Sequence, residues 1–444
     1  MYSSRNIKSD YIEGNNSLSF KEKCLSFLSL LLVVSSLIAS SFEITILHYI
    51  TFSACFILLF NPVYILPVYL ITSLGNNFLS FSNGIATSRI FGYILILACV
   101  IYQIRNNFSF QKKHLAFVFT IFAFTFISTA FFSITDSYLT FIIFTQNLLV
   151  LVLLSQLRNV NIYNLTNLLV VSSIISILII AFYFKDEIIA GQVERLLFSE
   201  DSSANRLGTM FSQLVIIIFA GYFILKNKTF KIMITPIIII GIVLTFFSGT
   251  RTASLSLLIT IIGFFLLNFR KKFFNFFFIA LFLTIAYVSF IDLIPLNDFR
   301  VLERFEFDSF SEGGSNNRIN NWIKLVPIVL SESPFIGYGF GGVNGQAFAV
   351  SNGLEYAAHN LLIDMFYQTG FLGIILFLSY FLFIAKKLIL FSHNRFILLP
   401  ILILVTAIIN GLGETIFIEK FFWNSIALAL IYLNNTPQLK KINN

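Results

Sequence analysis

Long apolar runs, broken by short polar stretches, repeat from residue 25 to residue 433 and set the character of the chain. Runs of about 18–25 apolar residues cross a bilayer as helices, because a helix satisfies its own backbone polar groups where water is absent. The pattern predicts spans at about 25–40, 44–60, 62–74, 89–104, 115–134, 138–157, 162–184, 209–225, 231–248, 252–268, 273–293, 360–384, 396–413 and 416–433. The third is short and contains Pro67. Strict apolar/polar alternation of the β-barrel kind is absent. The expected fold is an all-α polytopic membrane protein with about 14 transmembrane helices.

Composition agrees with the pattern. Of 444 residues, 57% are hydrophobic and 11% charged, with mean hydropathy +0.87. Soluble domains carry about 25% charged residues. The 56 phenylalanines read mostly as lipid-facing bulk. A formal charge of +8 does not point to nucleic acid, since the basic residues are scattered between the apolar runs. They set topology instead. Arg5, Lys8, Lys21 and Lys23 precede the first run, and alternate loops carry Arg105, Lys112, Lys113, Arg158, Lys226, Lys228, Lys231, Arg270, Lys271, Lys272, Lys386, Lys387, Arg395, Lys440 and Lys441. Lysine and arginine mark the cytoplasmic face, so both termini are expected inside. That partition works only if the short third span is counted. Cys24, Cys55 and Cys99 lie in apolar runs without CxxC spacing, so neither a disulfide framework nor a zinc site is indicated.

The resulting organisation is a cytoplasmic tail 1–24, helices over 25–293 with an external loop at 185–208, a large external loop at 294–359, helices over 360–433 and a cytoplasmic tail 434–444. The loop 294–359 is the one polar stretch large enough to be a small domain, and it gathers arginines, carboxylates, glycines and a histidine. Nothing marks the first apolar run as a cleaved signal peptide, and it reads as a retained anchor.

Several residues in the external stretches could carry chemistry. Arg251 sits in Ser248-Gly-Thr-Arg251, a tight turn between two spans. An arginine drawn into the hydrocarbon costs roughly 2.5–3.5 kcal/mol. A guanidinium at the membrane surface matches a phosphate oxygen pair bidentately, although interfacial snorkelling explains the position equally well. Arg318 and Trp322 share one face of a helical segment, which also fits an amphipathic helix lying on the bilayer. The run Ile336-Gly-Tyr-Gly-Phe-Gly-Gly-Val-Asn-Gly345 reads as a mobile loop or as an anion nest containing Gly339 and Gly341. It is no dinucleotide fingerprint, because no strand–helix unit surrounds it.

His359 stands at the entrance of the span 360–384, while His48 lies within a span and His114 and His393 in cytoplasmic loops. The positive end of the helix dipole disfavours imidazolium there, leaving a ring able to accept a proton near neutral pH. Glu355 and Asp364 are close enough in sequence to orient it. The stretch from Glu194 to Gly208, with Arg195 and Asn205, reads as a polar connector whose Ser/Asn residues cap the next helix.

Together these segments resemble the O-antigen ligase and O-antigen polymerase superfamily of bacterial envelope glycosyltransferases. The resemblance covers roughly residues 190–385 and rests on Ser248-Gly-Thr-Arg251, Arg318-x3-Trp322, Pro334-Phe-Ile-Gly-Tyr-Gly-Phe-Gly341, and His359-Asn360 followed by Gly370-Phe-Leu-Gly373, with Arg195 and Asn205 as a fainter match. It implies a GT-C-like, metal-independent, inverting glycosyltransferase of the bacterial inner membrane, with its active site on the periplasmic face and no cofactor. The donor would be an undecaprenyl-diphosphate-linked glycan and the acceptor a sugar hydroxyl. By position, Arg251 and Arg318 would bind the diphosphate and His359 would be the general base. Arg195, Asn205, Trp322, Gly339, Gly341, Glu355 and Asn360 are candidates for binding or orienting substrate. Partners implied are membrane lipid and other polysaccharide-assembly proteins, such as a chain-length regulator, with no nucleic acid. No Asp-x-Asp cluster in the external loops calls for a metal.

The helix count and sparse external loops favour a polymerase slightly over a ligase that moves the chain to lipid A–core. A flippase for lipid-linked sugars would need ionisable residues buried in mid-span, and the spans are nearly free of charge.

Overall fold

The computed structural model describes residues 18–75, 86–106, 112–131, 137–190, 196, 204–268, 314–340, 359–414, 417 and 419–436. Within them the chain is helical: α1 Phe20–Ser41, α2 Thr45–Cys55, α3 Pro62–Leu74, α4 Thr87–Arg105, α5 Lys112–Phe131, α6 Ser137–Ser155, α7 Ile162–Tyr183, α8 Lys185–Ala190, α9 Ala204–Ile224, α10 Lys228–Phe247, α11 Arg251–Asn268, α12 Gly314–Glu332, α13 Leu361–Leu390, α14 Leu398–Gly411 and α15 Lys420–Asn435. Starts follow local chemistry. Ser19 and Glu22 form a capping box at α1, and Asn161, Asn227 and Asn360 cap α7, α10 and α13 with their side-chain oxygens.

Six of these helices are long and apolar enough to cross a membrane: α1, α4, α7, α9, α10 and α13, with α9 counted from Asn205. Further apolar helices are shorter, so this is a multi-pass all-α membrane protein whose described part does not establish the expected fourteen spans. Every expected span except 273–293 falls on a helix; that one lies outside the described residues. So do 294–313 and 341–358 of the large loop and all of the loop 185–208 except α8, Leu196 and the first turn of α9. Helix α3 has 13 residues, roughly 20 Å, and is almost wholly buried, so its neighbours rather than lipid set its length. Two expectations change. His114 is buried inside α5 against Tyr380 and Phe383 of α13, not in a loop. The last helix begins at Lys420, which leaves Glu419 as its cap rather than within the span.

Helices α9 and α15 form the centre. From Leu207 to Gly221, and from Lys420 to Leu433, every residue is buried, the polar Ser212, Gln213, Lys420 and Asn424 included. Gly221 lets α9 approach Val170 of α7, where a methyl group would lie 2.5 Å from the valine side chain. Small residues at such crossings permit the close packing that holds membrane helices together.

Hydrogen bonds sort the helix ends into two sets. At one end, Ser29 of α1 donates to Tyr64 O of α3, Tyr102 of α4 donates to Arg158 O, and Asn435 of α15 donates to Leu157 O. At the other, Lys420 of α15 donates to Ser88 of α4, Asn424 donates to Ser73 of α3, and Asn410 of α14 donates to Ser212 of α9. The first set holds the C-termini of α4, α6 and α15, and the second holds the N-termini of α4, α9 and α15. Of the described candidates, Asn205, Arg251, His359 and Asn360 lie at the second.

Candidate functional site

The site is built on a splice between the end of α12 and the middle of α13. Helix α13 breaks at Gly370, where φ is 61° and ψ −167°. The break exposes backbone groups that a straight helix would use internally. They are taken up by the segment after α12: Tyr338 N–H donates to Tyr367 O at 2.8 Å, Gly339 N–H to Gln368 O at 3.0 Å, and Phe371 N–H to Pro334 O at 2.9 Å. Ser128 of α5 donates to Ile336 O at 2.8 Å and is also 3.0 Å from Gln368 O. A Cβ at Gly337 would lie 2.6 Å from backbone atoms of Tyr367, Thr369 and Gly370, so only glycine fits. The reading of this run as a mobile loop or anion nest therefore does not hold for 337–340. These N–H groups are bonded to Ser333, Tyr367, Gln368 and Thr129, leaving none to cradle an anion. Gly341 to Gly345 lie outside the described residues.

Helix α12 runs parallel to the first half of α13. Its Leu325 and Val329 pack with Phe366 and Tyr367, and Trp322 and Ile363 join the same cluster. Tyr338 stacks on Tyr367 at 5.3 Å and donates to Glu332. Burial and the Glu332 carboxylate push the Tyr338 phenol above its ordinary range. Counted back from the splice, Arg318 on α12 and His359 ahead of α13 differ in height by about one helical turn. The backbone thus brings these two expected partners to one end of a helix pair.

His359 adopts the left-handed conformation, with φ 48°, and is half-buried. Asn360 follows as the N-cap: its Oδ1 accepts from Leu362 N–H at 3.0 Å and Ile363 N–H at 3.2 Å, and its Nδ2 donates to Leu412 O at 3.0 Å. Asp364, fully buried one turn on, donates its N–H to Asn360 O. The bond to Leu412 ties the His359 region to the end of α14. Gly413, the next residue, presses on Thr252, where a Cβ would meet Oγ1 at 2.4 Å. Thr252 adjoins Arg251. Segments distant in sequence therefore converge through Leu412 and Gly413. Replacing Asn360 by alanine is expected to cost about 1 kcal/mol through loss of the cap; thermal unfolding in detergent would measure it.

Arg251 opens α11 at the mouth of a groove between α10, α11 and α14, with a volume of about 600 Å³. Its walls include Phe246, Leu255, Leu258, Ile409 and Leu412, several of them exposed. An apolar trough with a cation at one end suits an amphiphile bearing an anionic head.

Of the other expected residues, Arg195, Gly341 and Glu355 lie outside the described set, and Arg318 is placed by its backbone alone. Asn205 lies in the first turn of α9, where its carbonyl accepts from the Thr209 hydroxyl at 3.1 Å. Trp322 packs against α13 rather than standing as a free anchor. Sequence reading missed the segment 412–420, which carries the contacts to Asn360 and Thr252, the Arg206–Glu419 ion pair at 2.7 Å and buried Lys420. The available signal was two adjacent charges, Glu419 and Lys420, inside an apolar run. Among the described residues, no group of three or more His, Cys, Asp or Glu could hold a metal ion.

No curated protein matches the chain. A protein-family model described as O-antigen ligase matches residues 236–378, the stretch that contains Arg251, Arg318, the Gly370 splice and His359. Over that part the chain is similar to O-antigen ligases, and its general function is that of a membrane enzyme of surface-polysaccharide assembly.

Proposed function

We propose that this chain is an inverting, metal-independent glycosyltransferase of the ligase type. It moves a glycan from undecaprenyl diphosphate to a sugar hydroxyl on lipid A–core, at the periplasmic face of the bacterial inner membrane. The observation that carries the reading is the groove headed by Arg251, joined through Gly413 and Leu412 to Asn360 and His359. In this scheme the polyprenyl chain lies in the groove and the diphosphate meets Arg251 and Arg318. His359 takes the proton of the acceptor hydroxyl as its oxygen bonds to the anomeric carbon. The bond from that carbon to the diphosphate oxygen breaks, and the guanidinium groups stabilise the charge of the departing undecaprenyl diphosphate.

The family match favours the ligase over the polymerase preferred on sequence. That preference leaned on fourteen spans, a count the described helices do not establish. A flippase is disfavoured because the buried Asp364, Glu414 and Lys420 all sit near helix ends rather than in mid-span. Purified protein given a lipid-linked glycan and lipid A–core should release undecaprenyl diphosphate and extend the core. Extension of a second lipid-linked repeat unit instead would establish the polymerase, and no release at all would end the transferase reading. Arg251→Lys and Arg318→Lys should each lower turnover at least tenfold, because an ammonium cannot reproduce a bidentate fork. Unchanged donor turnover in both would remove the diphosphate site from these residues.

A further inference from the structure

Helix α5 lies outside residues 236–378, yet its last turn holds the splice. Its threonines behave as hydroxyls in a membrane helix commonly do: Thr120, Thr125 and Thr129 each donate to the carbonyl one turn back, at 2.8 Å. Ser128 donates outward instead. Its Oγ is 2.8 Å from Ile336 O, in the segment after α12, and 3.0 Å from Gln368 O, at the break in α13. The neighbouring Thr129 Oγ1 accepts from Phe340 N–H at 3.2 Å. Two adjacent hydroxyls, both buried, thus touch both partners of the splice. The backbones themselves are close: a Cβ at Gly339 would lie 2.7 Å from Thr129 Cα.

The inner side of the joint is closed as well. Phe340 is fully buried, its ring 4.4 Å from that of Phe144 on α6 and stacked on Phe417 at 5.9 Å. Ser128 then decides how the segment sits along α13. A hydroxyl has one hydrogen, so Ile336 O and Gln368 O share it, and they can do so only while the two carbonyls keep their separation. That separation has a chemical consequence. Arg318 rides on α12 and His359 stands ahead of α13, so sliding one helix along the other moves the diphosphate site relative to the base. A misplacement of about 1 Å between reacting groups costs about 10²-fold in rate.

We propose that Ser128 and Thr129 are positioning residues for glycan transfer. They touch no substrate. They fix α12 against α13, and through that contact they place Arg318 relative to His359. The inference rests on the transferase reading above, and it makes part of the amino-terminal half of the chain a support of the site.

The test uses the full chain in detergent. Ser128→Ala and Thr129→Val remove the hydroxyls with little change in volume, and Thr129→Ser keeps one. Hydrogen–deuterium exchange of peptides covering 336–340 and 368–372 reads the splice without turnover. Ser128→Ala and Thr129→Val should each speed exchange there about tenfold. Each should also lower kcat about tenfold, with the donor KM within about twofold of wild type. Thr129→Ser should keep both values near wild type, and Thr120→Val, whose exposed hydroxyl donates within α5, should change neither. A merely structural loss would multiply with any other defect. In an Arg318→Lys background, Ser128→Ala should instead cost less than about twofold more, because the geometry it protects is already gone. Unchanged exchange in both variants, unchanged kcat despite faster exchange, or a full tenfold loss in the Arg318→Lys background overturns the proposal. Should Ser128→Ala fail to fold, Thr129→Val against Thr129→Ser carries the test. A wild type that releases no undecaprenyl diphosphate defeats the transferase reading and this inference with it. An active wild type whose kcat survives both substitutions defeats this inference alone.

Discussion

Replacing His359 with asparagine is expected to lower glycan transfer by about 10²–10⁴-fold, the usual contribution of a positioned general base. Asparagine is the informative choice. His359 holds φ at 48°, a conformation asparagine accepts more readily than alanine does. The backbone leading into the Asn360 cap should therefore survive while the proton acceptor is lost. Release of undecaprenyl diphosphate by purified protein is the measurement, with unfolding temperature as the check on structure. Turnover within tenfold of wild type would remove His359 from the chemistry and leave only a role in shaping the turn. Loss of turnover together with a large fall in melting temperature would implicate folding instead.

The second large effect concerns the splice. Gly370→Ala is expected to destabilise the protein by about 3–5 kcal/mol, because two costs combine there. The residue sits at φ 61°, and an added Cβ would lie 2.4 Å from the carbonyl carbon of Phe335 and 2.5 Å from its oxygen. Neither neighbour is the end of a flexible side chain. Relief would require parting α12 from α13, which breaks the bonds from Phe371 N–H to Pro334 O and from Leu372 N–H to Phe335 O. Those bonds set the height of Arg318 relative to His359, so surviving protein should also transfer poorly. Gly263→Ala is the control: nothing lies within 4 Å of its Cβ position, and alanine favours a helix interior. Gly370→Ala unfolding at the same temperature as Gly263→Ala would show that the splice carries no such strain.

The glycines show how far local sequence can be read. Gly337 and Gly339 were visible as permissive residues in a glycine-rich run, and permissiveness alone suggests motion. What requires glycine at Gly337 is the backbone of Thr369 and Gly370, and at Gly339 that of Thr129, far away in the chain. Flexibility and close approach ask for the same residue, so composition could not tell a mobile loop from a buried joint. Arg251 and His359 were legible for a different reason. Each is a polar residue at the edge of an apolar run, and position at a helix entrance follows from hydropathy alone. Lys420 carried the same signal, but the apolar run around it outweighed two adjacent charges in placing the span.

By itself, then, the sequence determined a multi-pass helical membrane protein and, to within a few residues, where most of the described helices begin. Hydropathy and capping act over a few residues and can be read along the chain. Only the tertiary structure decided that Leu412 and Gly413 join Asn360 to Thr252, that α12 lies parallel to α13, and that a groove opens beneath Arg251. Lipid and neighbouring helices both keep an apolar helix from water, so burial from water cannot choose one neighbour over another. That choice falls to close packing at small residues and to a few buried hydrogen bonds between distant segments.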